Sequence, residues 1–370
     1  MTAPDPTPPS GVFARVVAWQ RRAGRHGLPW QGTGDPYRVW LSEIMLQQTQ
    51  VATVLRYYER FVARFANVHA LAAAPLDEVL AAWSGLGYYR RARLLHRCAQ
   101  VVVQRHGGRF PCDFATLRTL PGIGDSTAAA IAAFCAGERV SILDGNVRRV
   151  LMRLWADDRD PAAVATQRDL WARAQGLVLA TATPADMAAY TQGLMDLGAT
   201  VCTRLRPHCD ACPLLDGCQA HRAGTPTAWP RPRARAPRRT ERWWLLLLRR
   251  GDGVCWLQRR ASGGIWGGLW APPVLTEPQG DQGLRAWLQR AGLTAIWAPP
   301  QPHALTHRDL ALHWVVVPWT DAAGEALAHV PGVLVDQGAW WSPAEALALG
   351  LPAPVRVWLA AAVSRTSSSR

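Results

Sequence analysis

Two carboxylates and four cysteines are the residues of this chain whose types and spacing could do chemistry. Glu43 stands in VWLSEIMLQQTQ, among Trp40, Leu41, Ile44, Met45 and Leu46. A carboxyl in such company is poorly hydrated, so its charged form is disfavoured and its pKa rises. A carboxylic acid that keeps its proton at neutral pH can act as a general acid. Asp144 stands in SILDGNVRRVL, just ahead of a helix predicted to begin near Asn146 or Val147. A proton donor and a nearby anion together suit the cleavage of a glycosidic bond. The leaving group gains the proton, and the cationic sugar is held by the negative charge. Taken singly, each residue has a plainer reading. Glu43 could face solvent on an amphipathic helix, and Asp144 could be an ordinary helix cap.

The cysteines Cys202, Cys209, Cys212 and Cys218 follow the pattern C-x6-C-x2-C-x5-C. Four thiolates so close in sequence can converge on one soft metal centre. Zinc usually takes two paired CxxC knuckles, and only one is present. An iron–sulfur cluster also takes four cysteines and tolerates uneven spacing. We read a 4Fe-4S cluster, with zinc or free thiols as the alternatives. Its plainest role is to staple a loop that cannot build its own core. Arg204, Arg206 and His208 lie inside the loop and could face phosphate.

The elements that must position these groups are helical from Val12 to about Gly217. Asp35-Pro36 is a helix start, with Asp35 as N-cap and Pro36 in the first turn. Val51, Val54, Leu55, Tyr58, Phe61, Val62 and Phe65 form one apolar helical stripe. LPGIG, Leu120–Gly124, precedes the alanine-rich DSTAAAIAAF. A helix end, a tight Pro-Gly-x-Gly turn and a second helix resemble a helix-hairpin-helix. Gly122 and Gly124 let the backbone come close to a phosphate. Backbone N–H groups at the next helix start then bind the anion. Such contacts position a duplex without reading its sequence.

From His221 to Arg242 the composition turns to Pro and Arg, which predicts an extended basic linker. Strand-like runs follow at Trp243–Leu248, Val254–Gln258 and Leu312–Val317, with short helical stretches at Gln282–Ala291 and Pro343–Ala348. This half is expected to be α+β. The chain thus divides into a disordered tail over 1–11, an all-α domain over 12–220 carrying the cysteine loop 202–218, the linker over 221–240, an α+β domain over 241–363, and a disordered tail over 364–370. No internal repeat is visible.

Composition narrows the partner. The 370 residues carry Lys+Arg 41 against Asp+Glu 27, a formal net charge of +14. Such a surplus favours a polyanion, nucleic acid before membrane. All of the basic side chains are arginine, so no lysine amine can form a Schiff base. The start, MTAPDPTPPSG, lacks the apolar stretch of a signal peptide, and no apolar run approaches the ~20 residues of a membrane helix. A reducing, cytoplasmic compartment and a monomer with no membrane partner are expected.

SEIMLQQTQV, SGLGYYRRAR, LPGIGDSTAAAI, ILDGNVRRVL and the cysteine loop occur in that order. Together they resemble the MutY family of the endonuclease III superfamily over about residues 12–220. The resemblance implies a helix-hairpin-helix glycosylase fold with a 4Fe-4S loop, acting on double-stranded DNA that carries adenine opposite 8-oxoguanine or guanine. It implies that Glu43 protonates adenine N7. It implies that Asp144 stabilises the cationic sugar, by charge or through a transient adduct, with Asn146 supporting it. Gln48 and Tyr88 match residues that wedge into the DNA stack to hold the base flipped, and a mismatched base costs least to flip. Gly122, Gly124 and Ser126 fall in the duplex-binding hairpin. Superfamily lyases carry lysine at position 126, and here it is Ser126, which implies a glycosylase without lyase chemistry. Arg148 stands where many relatives carry a lysine that traps the abasic product, so trapping should be weak or absent.

GGIWGGLWAPP resembles the Nudix-like domain that the family appends. Nudix hydrolases hold Mg²⁺ with glutamates on a helix, and DQGLRAWLQRAGL has none. A recognition domain is implied, not a phosphohydrolase. In LTHRD, Thr306 and His307 match the pair that senses 8-oxoguanine, with Leu305 beside them. Trp266, Trp270 and Trp314 read as core.

Overall fold

The computed structural model describes residues 11–231, 237–276, 281–319, 329–330 and 332–367, with side chains to residue 363. The expected tail over 1–11 lies, but for Gly11, outside the described residues, as do 368–370. Two compact units emerge. One comprises residues 1–73 and 94–235, the other 74–93 and 236–370.

The first unit is helical. It contains α1 (Val12–Ala23), α2 (Pro36–Leu46), α3 (Val51–Arg64) and α4 (Val68–Ala73). The segment leading out of it carries α5 (Leu76–Ala82), and the chain returns through α6 (Arg90–His106). Then follow α7 (Phe114–Leu117), α8 (Asp125–Ala136), α9 (Gly145–Leu154), α10 (Val164–Gly176), α11 (Pro184–Asp196) and α12 (Gln219–Arg222). Asp35 caps α2 as expected: its side chain accepts from Tyr37 N–H at 2.9 Å, and Pro36 occupies the first turn. Thr183 and Asp186 form a reciprocal capping box at α11. α8 is buried from Thr127 to Ala133, and its alanines let α2 and α11 pack closely against it. Val16, Ile142, Val147, Leu151, Tyr190 and Leu194 belong to one continuous core.

The second unit is a mixed sheet with helices. Its strands are β1 (Arg239–Arg250), β2 (Cys255–Arg259), β3 (Trp270–Ala271), β4 (Val274–Thr276), β5 (Ile296–Trp297), β6 (Gln301–Ala304), β7 (Arg308–Trp319) and β8 (Gly338–Trp341). The main path runs β3-β2-β1-β7-β5. β1 and β7 pair in parallel from Arg239↔Arg308 to Arg250↔Trp319. Every other pairing is antiparallel. β1 is buried continuously over Trp243–Leu248, the mark of a strand covered on both faces. α13 (Asp281–Arg290) contributes Leu284, Trp287 and Leu288 to a core with Trp244, Leu246, Val315 and Val317. α14 (Pro343–Ala346) and α15 (Ala353–Ser367) complete the described chain.

Several expected boundaries move. Residues 74–93 group with the sheet because Asp77 pairs with Arg259, Arg356 bonds to Ser84 at 2.9 Å, and Tyr89 bonds to the Leu351 carbonyl at 2.9 Å. The expected linker begins inside α12 and stays anchored to the helical unit. Trp229 Nε1 and Arg231 Nε both donate to Asp158, at 3.0 and 2.8 Å. Backbone helix continues through 364–367, where a disordered tail was expected.

Candidate active site

Glu43 is delivered by α2. Trp40, Leu41, Ile44 and Met45 on the same helix are buried, which fixes the helix rotation. The carboxyl faces a cavity of about 560 Å³ whose wall includes Trp30, Gln31, Ser42, Phe134 and Gln192. Burial, and then the negative charge of Asp144, push the Glu43 pKa up to about 8. Among the described residues, Gln31 and Gln192 are polar wall groups that sequence reasoning missed. The wall is braced by a buried network around Asp196. Arg25 reaches it through Nε at 2.6 Å and backbone N–H at 2.7 Å, and Gln192 Nε2 reaches it at 2.7 Å.

Asp144 caps α9. Its Oδ1 accepts from Val147 N–H at 2.7 Å, and its Oδ2 faces Asn146 Nδ2 at 3.4 Å. The ordinary capping role and the placement of an anion near Glu43 therefore coexist. Burial raises the Asp144 pKa, while the Val147 and Asn146 N–H groups and the Arg149 charge oppose the rise. Both influences on Glu43 act upward. When two carboxyls share a field, the one with donors keeps the charge and the other keeps the proton.

Behind this pair runs a chain of contacts. Arg149 donates to Asn146 Oδ1 at 2.9 Å, to the Gly198 carbonyl at 2.5 Å and to the Cys202 carbonyl at 2.9 Å. One turn on, Arg153 is 2 % exposed. It donates to the carbonyls of Thr203 at 2.7 Å, Arg204 at 3.0 Å and Trp229 at 2.9 Å, and to Cys202 Sγ at 3.3 Å. Spacing four apart puts both arginines on one helix face, a signal already present in RRVLMR. Arg148 instead bonds the Pro161 carbonyl at 3.2 Å.

Cys202, Cys209, Cys212 and Cys218 line one small cavity with Arg153 and His208. Burial pushes the Cys212 thiol up to about 12. Four thiolates gathered there need a cationic group among them. Among the described residues, no three His, Cys, Asp or Glu side chains are grouped to hold a single ion.

In the hairpin, Gly122 has φ +80°, and a Cβ there would meet Leu94 Cβ at 2.9 Å. Only glycine fits both demands. Gly124 differs: its φ is −92° and a Cβ would find open space. Its glycine is not demanded by the backbone, and it leaves the start of α8 uncovered. Ser126 is half-buried in that first turn. The neighbours of Gln48 and Ser126 touch: Gln47 Nε2 donates to Thr127 Oγ1 at 3.3 Å.

Gln48 and Tyr88 share a backbone peculiarity. Their φ values are +59° and +49°. Left-handed backbone is costly for such side chains and persists only where surroundings impose it. Both side chains are exposed. Within the second unit, Tyr88 meets Thr306, hydroxyl to hydroxyl. Leu305, Thr306 and His307 form the tip between β6 and β7, closed by Leu305 N–H to the Arg308 carbonyl at 2.8 Å. His307 is exposed beside them. The acid of α13, Asp281, is paired with Arg285 at 2.9 Å. Trp266 and Trp314 are buried as core, and Trp270 is half-buried against Trp341.

Comparison with known proteins agrees in outline. Residues 41–175 match the HhH-GPD superfamily base excision DNA repair protein profile, and residues 244–361 match a NUDIX domain. A solved structure of a thermostable thymine-DNA glycosylase overlays at TM-score 0.51 with 25 % identity, covering 57 % of this chain and 95 % of that one. An adenine DNA glycosylase of Mycobacterium tuberculosis (strain CDC 1551 / Oshkosh) is 41 % identical over 220 residues, 59 % of this chain and 70 % of its own. Another, from Buchnera aphidicola subsp. Baizongia pistaciae (strain Bp), is 35 % identical over 280 residues, 75 % of this chain and 77 % of its own. Likeness of that extent, across the helical unit and on into the sheet, makes the chain a member of the MutY family of adenine DNA glycosylases.

Proposed function

We propose that this protein excises adenine from DNA where it stands opposite 8-oxoguanine or guanine. The carrying observation is the asymmetry between the two carboxyls: burial and the charge of Asp144 both push the Glu43 pKa up, whereas the rise that burial causes at Asp144 is opposed by Val147, Asn146 and Arg149. Glu43 gives its proton to N7 of the flipped base. The C1′–N9 bond then breaks with its electron pair leaving on adenine. The sugar cation is met by Asp144, and water completes an abasic site while its proton restores Glu43. General acid catalysis of this kind contributes roughly 10²–10⁴-fold.

Gln48 and Tyr88 are the wedges, and their imposed left-handed backbone holds the side chains outward. Gly122, Gly124 and Ser126 take duplex phosphates at the start of α8. Thr306 and His307 read the base opposite adenine. The cysteine cavity suits a 4Fe-4S cluster: all four cysteines line one small cavity, and such a cluster takes four cysteine ligands. Such a cluster supplies positive charge to the thiolates and ties the loop. The absence of lysine leaves no side-chain amine for a Schiff base, so the lysine-dependent lyase step is not available.

The test is a duplex with adenine opposite 8-oxoguanine, incubated with protein and then treated with alkali. Strand breaks that appear only after alkali support the reading. Breaks without alkali point to a lyase, and absence of breaks removes the glycosylase assignment.

A further inference from the structure

The cavity that reaches Glu43 has a rim of its own. Arg21, Gly27, Gly32 and Ala185 are lining residues and are exposed, so the cavity opens to solvent there. None of Gln48, Gly122, Gly124, Ser126 or Asp144 is in the wall. On that duplex-binding side, Gln47 and Thr127 join the last turn of α2 to the first turn of α8. The cavity volume of about 560 Å³ lies inside the ~300–1,000 Å³ range of pockets for drug-sized ligands. A single base of about ten heavy atoms leaves much of such a space vacant.

The rim is small by composition and held by design of its loop. Gly27, Gly32 and Gly34 all have positive φ, and a Cβ at any of them would meet nothing within 4 Å. α11 adds Ala185 and Ala188. The loop itself is anchored. Arg25 is clamped on buried Asp196, Gln31 Nε2 donates to the Arg25 carbonyl at 3.1 Å, and Leu28 N–H donates to Gln31 Oε1 at 3.1 Å. A braced loop with vacant space at its edge is a standing aperture rather than a collapsed one.

We infer that this aperture is a second passage to the active centre, through which the free purine leaves and water enters while the abasic duplex stays bound. The inference rests on the adenine-excision reading and adds the route. In that reading the base is enclosed between Glu43 and the duplex once its bond breaks. Departure through the rim separates base release from DNA release. The vacated space then fills with water from the same side.

Equilibrium dialysis of radiolabelled adenine tests the passage without any turnover. Holoprotein is saturated with a duplex bearing a tetrahydrofuran abasic analogue opposite 8-oxoguanine. Adenine should still bind with the duplex in place. Ala188→Trp should weaken that binding by about tenfold or more. Ala185→Trp, at an exposed position, serves as the second variant if Ala188→Trp does not fold. In single turnover with adenine-labelled duplex, the lag between formation of alkali-sensitive sites and release of labelled adenine from the filter-retained complex should lengthen about tenfold in the plugged protein. Exclusion of adenine by the bound duplex would overturn the passage, as would unchanged release in both plugged variants. Failure of wild-type protein to form abasic sites strikes the excision reading instead, and dialysis still reports on the aperture.

Discussion

The Tyr88 phenol stands 2.6 Å from the Thr306 hydroxyl, joining the GLGYY turn to the β6–β7 tip within one unit. Tyr88 is 45 % exposed, its backbone is left-handed, and the Arg91 guanidinium lies 5.5 Å from its ring centroid. A hydroxyl so held gives the Thr306 hydroxyl a partner within its own unit. Tyr88→Phe removes one bond worth about 0.5–1.5 kcal/mol, roughly two- to tenfold. Discrimination between 8-oxoguanine and guanine should shrink by that factor in Tyr88→Phe and in Thr306→Ala. The double variant should lose less than the product of the two. Measured ratios that multiply fully would show the hydroxyls act independently. His307→Ala should shrink the same ratio.

Glu43→Gln keeps the shape of the side chain and loses the proton. Base release should fall by roughly 10²-fold or more, with duplex affinity retained. In the proposed mechanism the proton-bearing form is the active one. The single-turnover rate should therefore be flat below and fall as pH rises through about 8. A rate that climbs across that range would assign Glu43 as a base.

The same raised pKa has a stability consequence. Between the ordinary value of 4.5 and about 8, the folded chain holds a Glu43 proton that the unfolded chain has shed. Stability from this group is complete below the window and is lost as pH rises through it. Glu43→Gln should melt near the wild type at the acid end and progressively above it toward about pH 8.5. Parallel melting curves at all pH values would contradict the burial argument.

Arg153 holds three successive backbone carbonyls of the cysteine loop, together with Cys202 Sγ and the Trp229 carbonyl. Arg153→Met leaves those acceptors without their donor, at a cost of about 1–3 kcal/mol for each that water cannot reach. The variant should melt lower and retain less iron per chain. Iron content and melting temperature equal to the wild type would mean the loop closes without it.

The Arg148 guanidinium bonds the Pro161 carbonyl. Borohydride should not couple the wild type to abasic DNA, since an arginine guanidinium forms no imine under these conditions. Arg148→Lys should create a trappable complex on denaturing gels. A trapped wild-type adduct would expose an amine other than lysine at the abasic carbon.

The helix starts around the candidate site were legible in the sequence. Asp35-Pro36 starts α2 by local chemistry, and Asp144 caps α9 for the same reason. Both are settled within a few residues, so spacing suffices. Strand β1 was visible as Trp243–Leu248, but its true span of Arg239–Arg250 was not. Its polar ends are held by pairing with β7, a partner distant in sequence. Residues 74–93 gave helical signals and nothing to show they would join the sheet unit. Asp77, Ser84 and Tyr89 find their partners more than 180 positions away. Arg153 was missed because an arginine on an amphipathic helix reads as surface, and only the folded loop supplies its acceptors.

The Trp229 carbonyl among those acceptors bears on how the chain is made. A nascent chain that has just emerged past Cys218 already owns all four thiols. It still lacks the carbonyl that Arg153 Nε takes, and the Asp158 partners that tie that stretch down. Synthesis proceeds from the N-terminus. The full set of bonds around Arg153 and Asp158 can therefore form only after Arg231 has left the ribosome, and a helical fragment ended at the last cysteine would lack them.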